Sequence, residues 1–229
     1  MNNDSVDAGN RFLALINLLV GEVPPGSQAV ALEGPGLHAA LQGLDRELPP
    51  FLRTLLVADG TVTMAIEAYY GESIEVRTIN QLAMSLPEAM PMLGVEAATD
   101  ILYREVILQG SDSGRVYACA YSMIRRSVIA DSLYRELVAE RVGIGTLLRN
   151  TAKGSYREIL SIRQGGIADV GDQLITDVSH SDEDLDNSIE KGLVSRTYCV
   201  YLDSKPGILI TEVFPVSPYL SRDNNEQAK

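Results

Sequence analysis

Two charged residues stand where an apolar side chain is expected. Over 102–108, alternation sets Leu102, Arg104, Val106 and Leu108 on one face of a strand, and Tyr103, Glu105 and Ile107 on the other. Arg104 therefore interrupts an apolar face, and a buried guanidinium is costly without an anion. Over 207–214, Ile208, Ile210, Glu212 and Phe214 share one face, so Glu212 is a carboxylate among apolar neighbours. Two chemistries satisfy this pattern. In one, Arg104 clamps the carboxylate of a small ligand and Glu212 acts on a proton. In the other, the two residues neutralise each other within the fold. The first requires both side chains to enter one cavity from the same sheet face.

Other chemistry-bearing residues read as structure. Gly143-Ile-Gly145 follows a helical stretch and is too short for a phosphate-binding fingerprint, so a helix C-terminal turn is expected. Arg125-Arg126 ends a strand and is expected to face solvent. No serine or cysteine nucleophile motif is present. The only histidines, His38 and His180, are far apart, so no metal site and no metal cofactor are expected. Cys119 and Cys199 lie in strand-like apolar stretches and read as buried free thiols.

The elements that must position Arg104 and Glu212 follow from periodicity and turn chemistry. Residues 1–10 and 220–229 read as disordered tails flanking one domain, 11–219. Short helices are expected over 11–20 and 37–48, separated by a Pro/Gly-rich stretch. Pro49-Pro50 opens a third helix with Leu52, Leu55 and Leu56 on one face, ending at Asp59-Gly60. Thr61 or Thr63 caps a fourth that runs to Tyr70 and closes at Gly71. The period then changes. Strands are expected over 73–81, with Ile74, Val76 and Ile79 near one side, then over 102–124 as a hairpin about Gly110–Gly114. A helix over 131–141 and a strand over 155–163 follow. A second hairpin, 194–203 and 207–214, turns at Asp203–Gly207. Helices followed by hairpin-connected strands give an α+β class with an antiparallel sheet.

Composition narrows the partners. Apolar residues make up 45% of the 229 residues and charged residues 22%, ordinary for a globular chain. The net charge is −12, and 167–190 holds eight acidic residues with no Lys or Arg, leaving −4 for the rest. That segment is expected to be a solvated surface loop inserted between two strands. No basic stripe exists for nucleic acid. The apolar run 12–20 is too short for a membrane span and its flank is not basic. A cytoplasmic protein, monomer or homodimer, acting on a small anionic or cyclic molecule is expected.

Several segments together resemble the chorismate pyruvate-lyase family. Leu55-Leu-Val-Ala-Asp-Gly-Thr-Val-Thr63 is similar to its leucine-rich helix and following turn, and Arg104-Glu-Val-Ile-Leu108 to its R-E-(I/V)-L-L strand. Tyr117-Ala118, Ile144-Gly145 and Arg157-Glu-Ile159 follow in order. Leu209-Ile-Thr-Glu-Val-Phe-Pro-Val-Ser-Pro-Tyr219 resembles the family's L-L-T-E-x-F-x-P-x-S-P-x-Y end. The resemblance implies a six-stranded antiparallel sheet carrying helices. It also implies cofactor-independent conversion of chorismate to 4-hydroxybenzoate and pyruvate, in quinone or secondary metabolism. By the same resemblance Arg104 holds the ring carboxylate with N–H groups near Thr61 and Val62. Glu212 sits at the ring C4 oxygen, and Ala118 and Ile144 line the ring. Two further functions fit the scaffold: an enzyme for another cyclic or polyketide-like substrate, and a non-catalytic ligand-binding protein.

Overall fold

A computed structural model describes residues 28–31, 48–139, 143–145, 148, 155–165 and 192–220. The helix expected over 11–20, that over 37–48 except for Leu48, His38, His180 and the acidic segment 167–190 lie outside these residues, and Leu48 is not helical. Strands β1 (Gln28–Ala31), β2 (Ile74–Ser85), β3 (Asp100–Gly110), β4 (Val116–Arg125), β5 (Tyr156–Gly165), β6 (Leu193–Leu202) and β7 (Lys205–Pro215) form one sheet in the order β1-β5-β6-β7-β4-β3-β2. Every pairing is antiparallel. Six strands match those expected. The short β1, in the Pro/Gly-rich stretch, is an addition.

The helices α1 (Pro50–Val57), α2 (Val62–Tyr70) and α3 (Asp131–Val138) fall where periodicity places them. Gly71 closes α2 at φ 72°, a conformation that glycine adopts without steric cost. Thr61 occupies the α2 N-cap but makes no side-chain capping bond. Leu52, Leu55 and Leu56 of α1 are fully buried, each contributing about 2 kcal/mol of apolar burial.

One sheet face carries two helical cores. At one end α1 and α2 pack on Leu108, Val194 and Phe214. At the other, Leu133 and Leu137 of α3 pack on Leu102, Ile124, Val200 and Ile208. Between these two cores lie the rows that hold Arg104 and Glu212. The opposite face is covered by the β2–β3 connection, whose Leu86, Met90, Leu93 and Val95 pack on Tyr103, Ile107 and Met123. No helix among the described residues is long and apolar enough to cross a membrane.

Two details depart from the expected elements. The second hairpin turns on Asp203–Ser204 alone, both at positive φ (49° and 63°), so Lys205 and Pro206 already belong to β7. Two left-handed residues form the tight turn whose twist matches the flanking strands. β2 runs on to Ser85 because a bulge between Thr78 and Asn80 absorbs Ile79, which is therefore exposed at 36% rather than on the inner side.

Candidate functional site

Register brings the site residues together. Arg104 lies opposite Ser122, Ser122 opposite Ile210, and Ile210 opposite Tyr198. In the next row Val106 faces Ala120, Ala120 faces Glu212, and Glu212 faces Arg196. Arg104 and Glu212 thus stand two strands apart, about 10 Å across the sheet, on one face. Both line a single cavity of about 310 Å³. Its apolar walls include Val106, Leu108, Ile210, Ile144 and Leu148.

The guanidinium of Arg104 is 2% exposed, and its Nη2 donates to Thr78 Oγ1 at 3.0 Å. The bulge at Ile79 makes this contact, because it shifts Thr78 onto the Val106 position beside Arg104. Glu212 is 7% exposed and both its oxygens are engaged. Arg196 Nε donates to Oε2 at 2.6 Å, and Tyr198 Oη donates to Oε1 at 3.1 Å. The neutralisation alternative is therefore corrected: Glu212 is half of a buried ion pair, but with Arg196 rather than Arg104. Burial works against the charge of Arg196, and the Glu212 carboxylate more than offsets it, holding the guanidinium above its ordinary range. Burial, then the charge of Glu212, pushes the Tyr198 phenol far up, so it stays a proton donor.

The rim comes from α2 and from residues 143–145. Thr61, Val62, Thr63 and Met64 line the cavity. The first bond of α2 runs from Ala65 N–H to the Thr61 carbonyl at 3.2 Å. The amides of Val62, Thr63 and Met64 precede it and form the electropositive end of the helix. Next to this rim Arg157 also lines the cavity, with Nη1 donating to the Asp59 carbonyl at 2.6 Å.

Of the residues singled out from sequence, Arg104, Glu212, Thr61, Val62 and Ile144 line this one cavity. Ala118 does not. The register shift between Leu108 and Gln109 makes Tyr117 an extra residue, so Tyr117 and Ala118 both turn beneath α1 and α2, and Ala120 and Ser122 line the cavity instead. Gly143-Ile-Gly145 is not a C-terminal turn either, since Ile144 and Gly145 are helical. A Cβ on Gly145 would come within 2.7 Å of Thr61 Cγ2, so close approach to the rim explains the glycine. Arg125 ends β4 and Arg126 follows it; both are half-buried rather than facing solvent, and Arg126 pairs with Asp131 and lies over the Tyr134 ring at 4.3 Å.

Arg196 and Tyr198 were missed from sequence. The signal was the one that exposed Arg104: Val194, Arg196, Tyr198, Val200 and Leu202 alternate along β6, with Arg196 breaking an apolar face. Cys119 and Cys199 are buried free thiols, as expected. Among the described residues no group of three or more His, Cys, Asp or Glu could hold a metal ion.

Chemically, the cavity can fix one anion between a buried guanidinium and a helix N-terminus. Across apolar walls it presents an anchored carboxylate.

Comparison with known proteins agrees in extent with the site. The family described as Chorismate pyruvate-lyase Rv2949c-like matches residues 56–222. A chorismate pyruvate-lyase of Mycobacterium leprae (strain TN) is 25% identical over 169 residues, covering 74% of this chain and 76% of the relative. A protein of Methanocaldococcus jannaschii, provisionally named a lyase, is 28% identical over 167 residues, covering 72% and 77%. Among solved structures, PhnF from Mycobacterium smegmatis matches with a TM-score of 0.48 at 12% identity, over 69% of this chain and 65% of that one. The match over 56–222 runs from the end of α1 to beyond the C-terminal Ser217–Tyr219 turn and includes every cavity residue named above: the chain belongs to the Rv2949c-like chorismate pyruvate-lyase family.

Proposed function

We propose that this chain is a cytoplasmic lyase that converts chorismate to 4-hydroxybenzoate and pyruvate without a cofactor. The observation that carries this reading is the single cavity in which Arg104 and the α2 N-terminus face Glu212 across apolar walls. Family membership supports the reaction class, and the unoxidised, buried cysteines fit a reducing compartment.

Arg104 and the amides of Val62 and Thr63 receive the ring carboxylate. Glu212, held by Arg196 and Tyr198, meets the C4 side of the ring. The ether bond between ring C3 and the enolpyruvyl oxygen breaks, and its electron pair leaves with that oxygen. The C4 proton is lost, and the C4–H electrons complete the aromatic ring. The enolpyruvate then takes up a proton at its methylene carbon and departs as pyruvate. Aromatisation supplies most of the driving force. The protein contributes position, an anchored acceptor beside C4, and exclusion of water.

A second reading draws on Ala120, which leaves a small uncharged patch of floor between Val106 and Glu212. Such a floor also accommodates another cyclic or polyketide-like anion. Incubation with chorismate decides between them. Equimolar pyruvate and 4-hydroxybenzoate are expected, whereas no turnover by folded protein would remove the first reading.

A further inference from the structure

We propose that Arg196 is a positioning residue that ties the rim of the cavity to Glu212, so that the α2 N-terminus and the carboxylate are set as one unit. Its guanidinium is 1% exposed and bonds in two directions. Nε donates to Glu212 Oε2 at 2.6 Å. Nη1 donates to the Leu55 carbonyl at 2.6 Å and to the Ala58 carbonyl at 2.9 Å. Leu55 lies in the last turn of α1, and Ala58 is its C-cap.

The last carbonyls of a helix lack i+4 donors and carry its negative end, and here the Leu55 carbonyl takes only a long bond from the Ala58 N–H, at 3.3 Å, besides Arg196. The last turn of α1 has no basic residue of its own. Arg196, reaching up from β6, supplies that cation from the sheet. Three residues past Ala58 comes Thr61, and with it the amides that rim the cavity. The Tyr198 ring, 5.0 Å from the guanidinium carbon, holds the plane of the fork, and the same tyrosine bonds the other oxygen of Glu212. If the α1–α2 turn lifts, the bonds to Leu55 and Ala58 break and the guanidinium loses the orientation that fixes Glu212. A lysine at 196 keeps the charge but lacks the planar fork that spans both partners.

The inference about turnover rests on the reading of Glu212 as the group that meets the ring. The inference about the rim does not. Two measurements therefore separate them. Amide hydrogen exchange in Arg196→Lys is expected to quicken at least about tenfold over 58–66, while the β3–β4 hairpin keeps its rate. Unchanged exchange at the rim, or an equal rise in both regions, overturns the proposal.

With chorismate, Arg196→Lys is expected to lower kcat about ten- to a hundredfold. In a Glu212→Gln background the same substitution should change kcat less than about twofold, because its effect passes through that carboxylate. Equal factors in both backgrounds overturn the coupling. If the native enzyme does not turn over chorismate, the functional reading falls and the exchange comparison still decides the rim. Should Arg196→Lys fail to fold, Arg196→Gln combined with Glu212→Gln removes both charges. Faster exchange over 58–66 than in Glu212→Gln alone then supports the tie, and equal exchange overturns it.

Discussion

Arg104 and Glu212 make different demands on the ligand, and their variants are expected to fail differently. Arg104 meets an anion in both ground and transition states. Arg104→Ala should weaken 4-hydroxybenzoate binding about ten- to a hundredfold, from the roughly 1.5–3 kcal/mol of a charge-assisted hydrogen bond. Glu212→Gln should instead lower kcat while product affinity, measured by calorimetry, stays within a few-fold. It also leaves Arg196 buried without its anion, so a loss of about 3–5 kcal/mol of stability is expected. Kinetics should therefore be read well below the variant's melting point. Proportionate loss of binding, turnover and stability in both variants would leave only a structural role. Both residues were legible in the sequence because each breaks a strict alternation. Arg196 breaks one in the same way. Its partner was not legible, because the Asp203–Ser204 turn alone would set Arg196 opposite Thr211, and the extra residue Gly207 shifts it onto Glu212.

At the level of elements, the β3–β4 hairpin is fastened to the end of α2 by Glu72. Its carboxylate accepts from Tyr117 Oη at 2.5 Å, Ser113 Oγ at 3.0 Å and Ser113 N–H at 3.1 Å. Partial burial alone would raise its pKa, but the bonds from Tyr117 and Ser113 outweigh this and hold it below the usual carboxylate value of 4.5. A depressed folded-state pKa contributes stability above the unfolded value, lost as pH falls through the folded one. Glu72→Gln should therefore show a shallower loss of stability than the native chain as urea midpoints are followed from about pH 5 downward. Identical acid limbs would dismiss the fastening. The Asp203–Ser204 turn offers a second check. Ser204 carries a left-handed penalty that Ser204→Gly removes, against a smaller entropic cost in the unfolded chain, so a gain of about 0.5 kcal/mol in chemical denaturation is expected. Hairpins and amphipathic helices were readable because their signals are local. The β2–β3 connection was not: Leu86, Met90 and Leu93 stand at helical spacing, but Pro87 and Pro91 interrupt it, and with Val95 they are buried by what the sheet presents to them.

For the whole molecule, the ends of β5 and β6 decide what 167–190 can mean for folding. Gly165 pairs directly with Leu193, and Gly192 at φ 100° turns the chain into β6. The strand ends therefore lie side by side, close enough for a short link to join them. Replacing 167–190 by a short Gly/Ser turn should leave cooperative unfolding intact, read by calorimetry, and a loss of cooperativity would show the segment to be structural. The thiols report the same global state. Burial, then the charge of Glu105, pushes Cys119 up to about 12, and burial, then Glu158, pushes Cys199 up to about 11. Both should label with a disulfide reagent at pH 8 only at the rate of global unfolding. Faster labelling would reveal local opening of the sheet.

Each of the four bulges, at Ile79, Tyr117, Leu160 and Gly207, adds a single residue to its strand. Their consequence is one of parity. Odd and even positions exchange faces across every bulge, so one strand carries two frames. Removing Ile79 would leave Thr78 and Gln81 two positions apart and still on one face, so β2 would keep its pairing with β3 without the bulge. In descent, loss of the extra residue at these four points should therefore be tolerated, whereas a single-residue insertion or deletion elsewhere in a strand should be rare alone. Changes elsewhere should be tolerated chiefly when a compensating change restores the frame farther along the same strand.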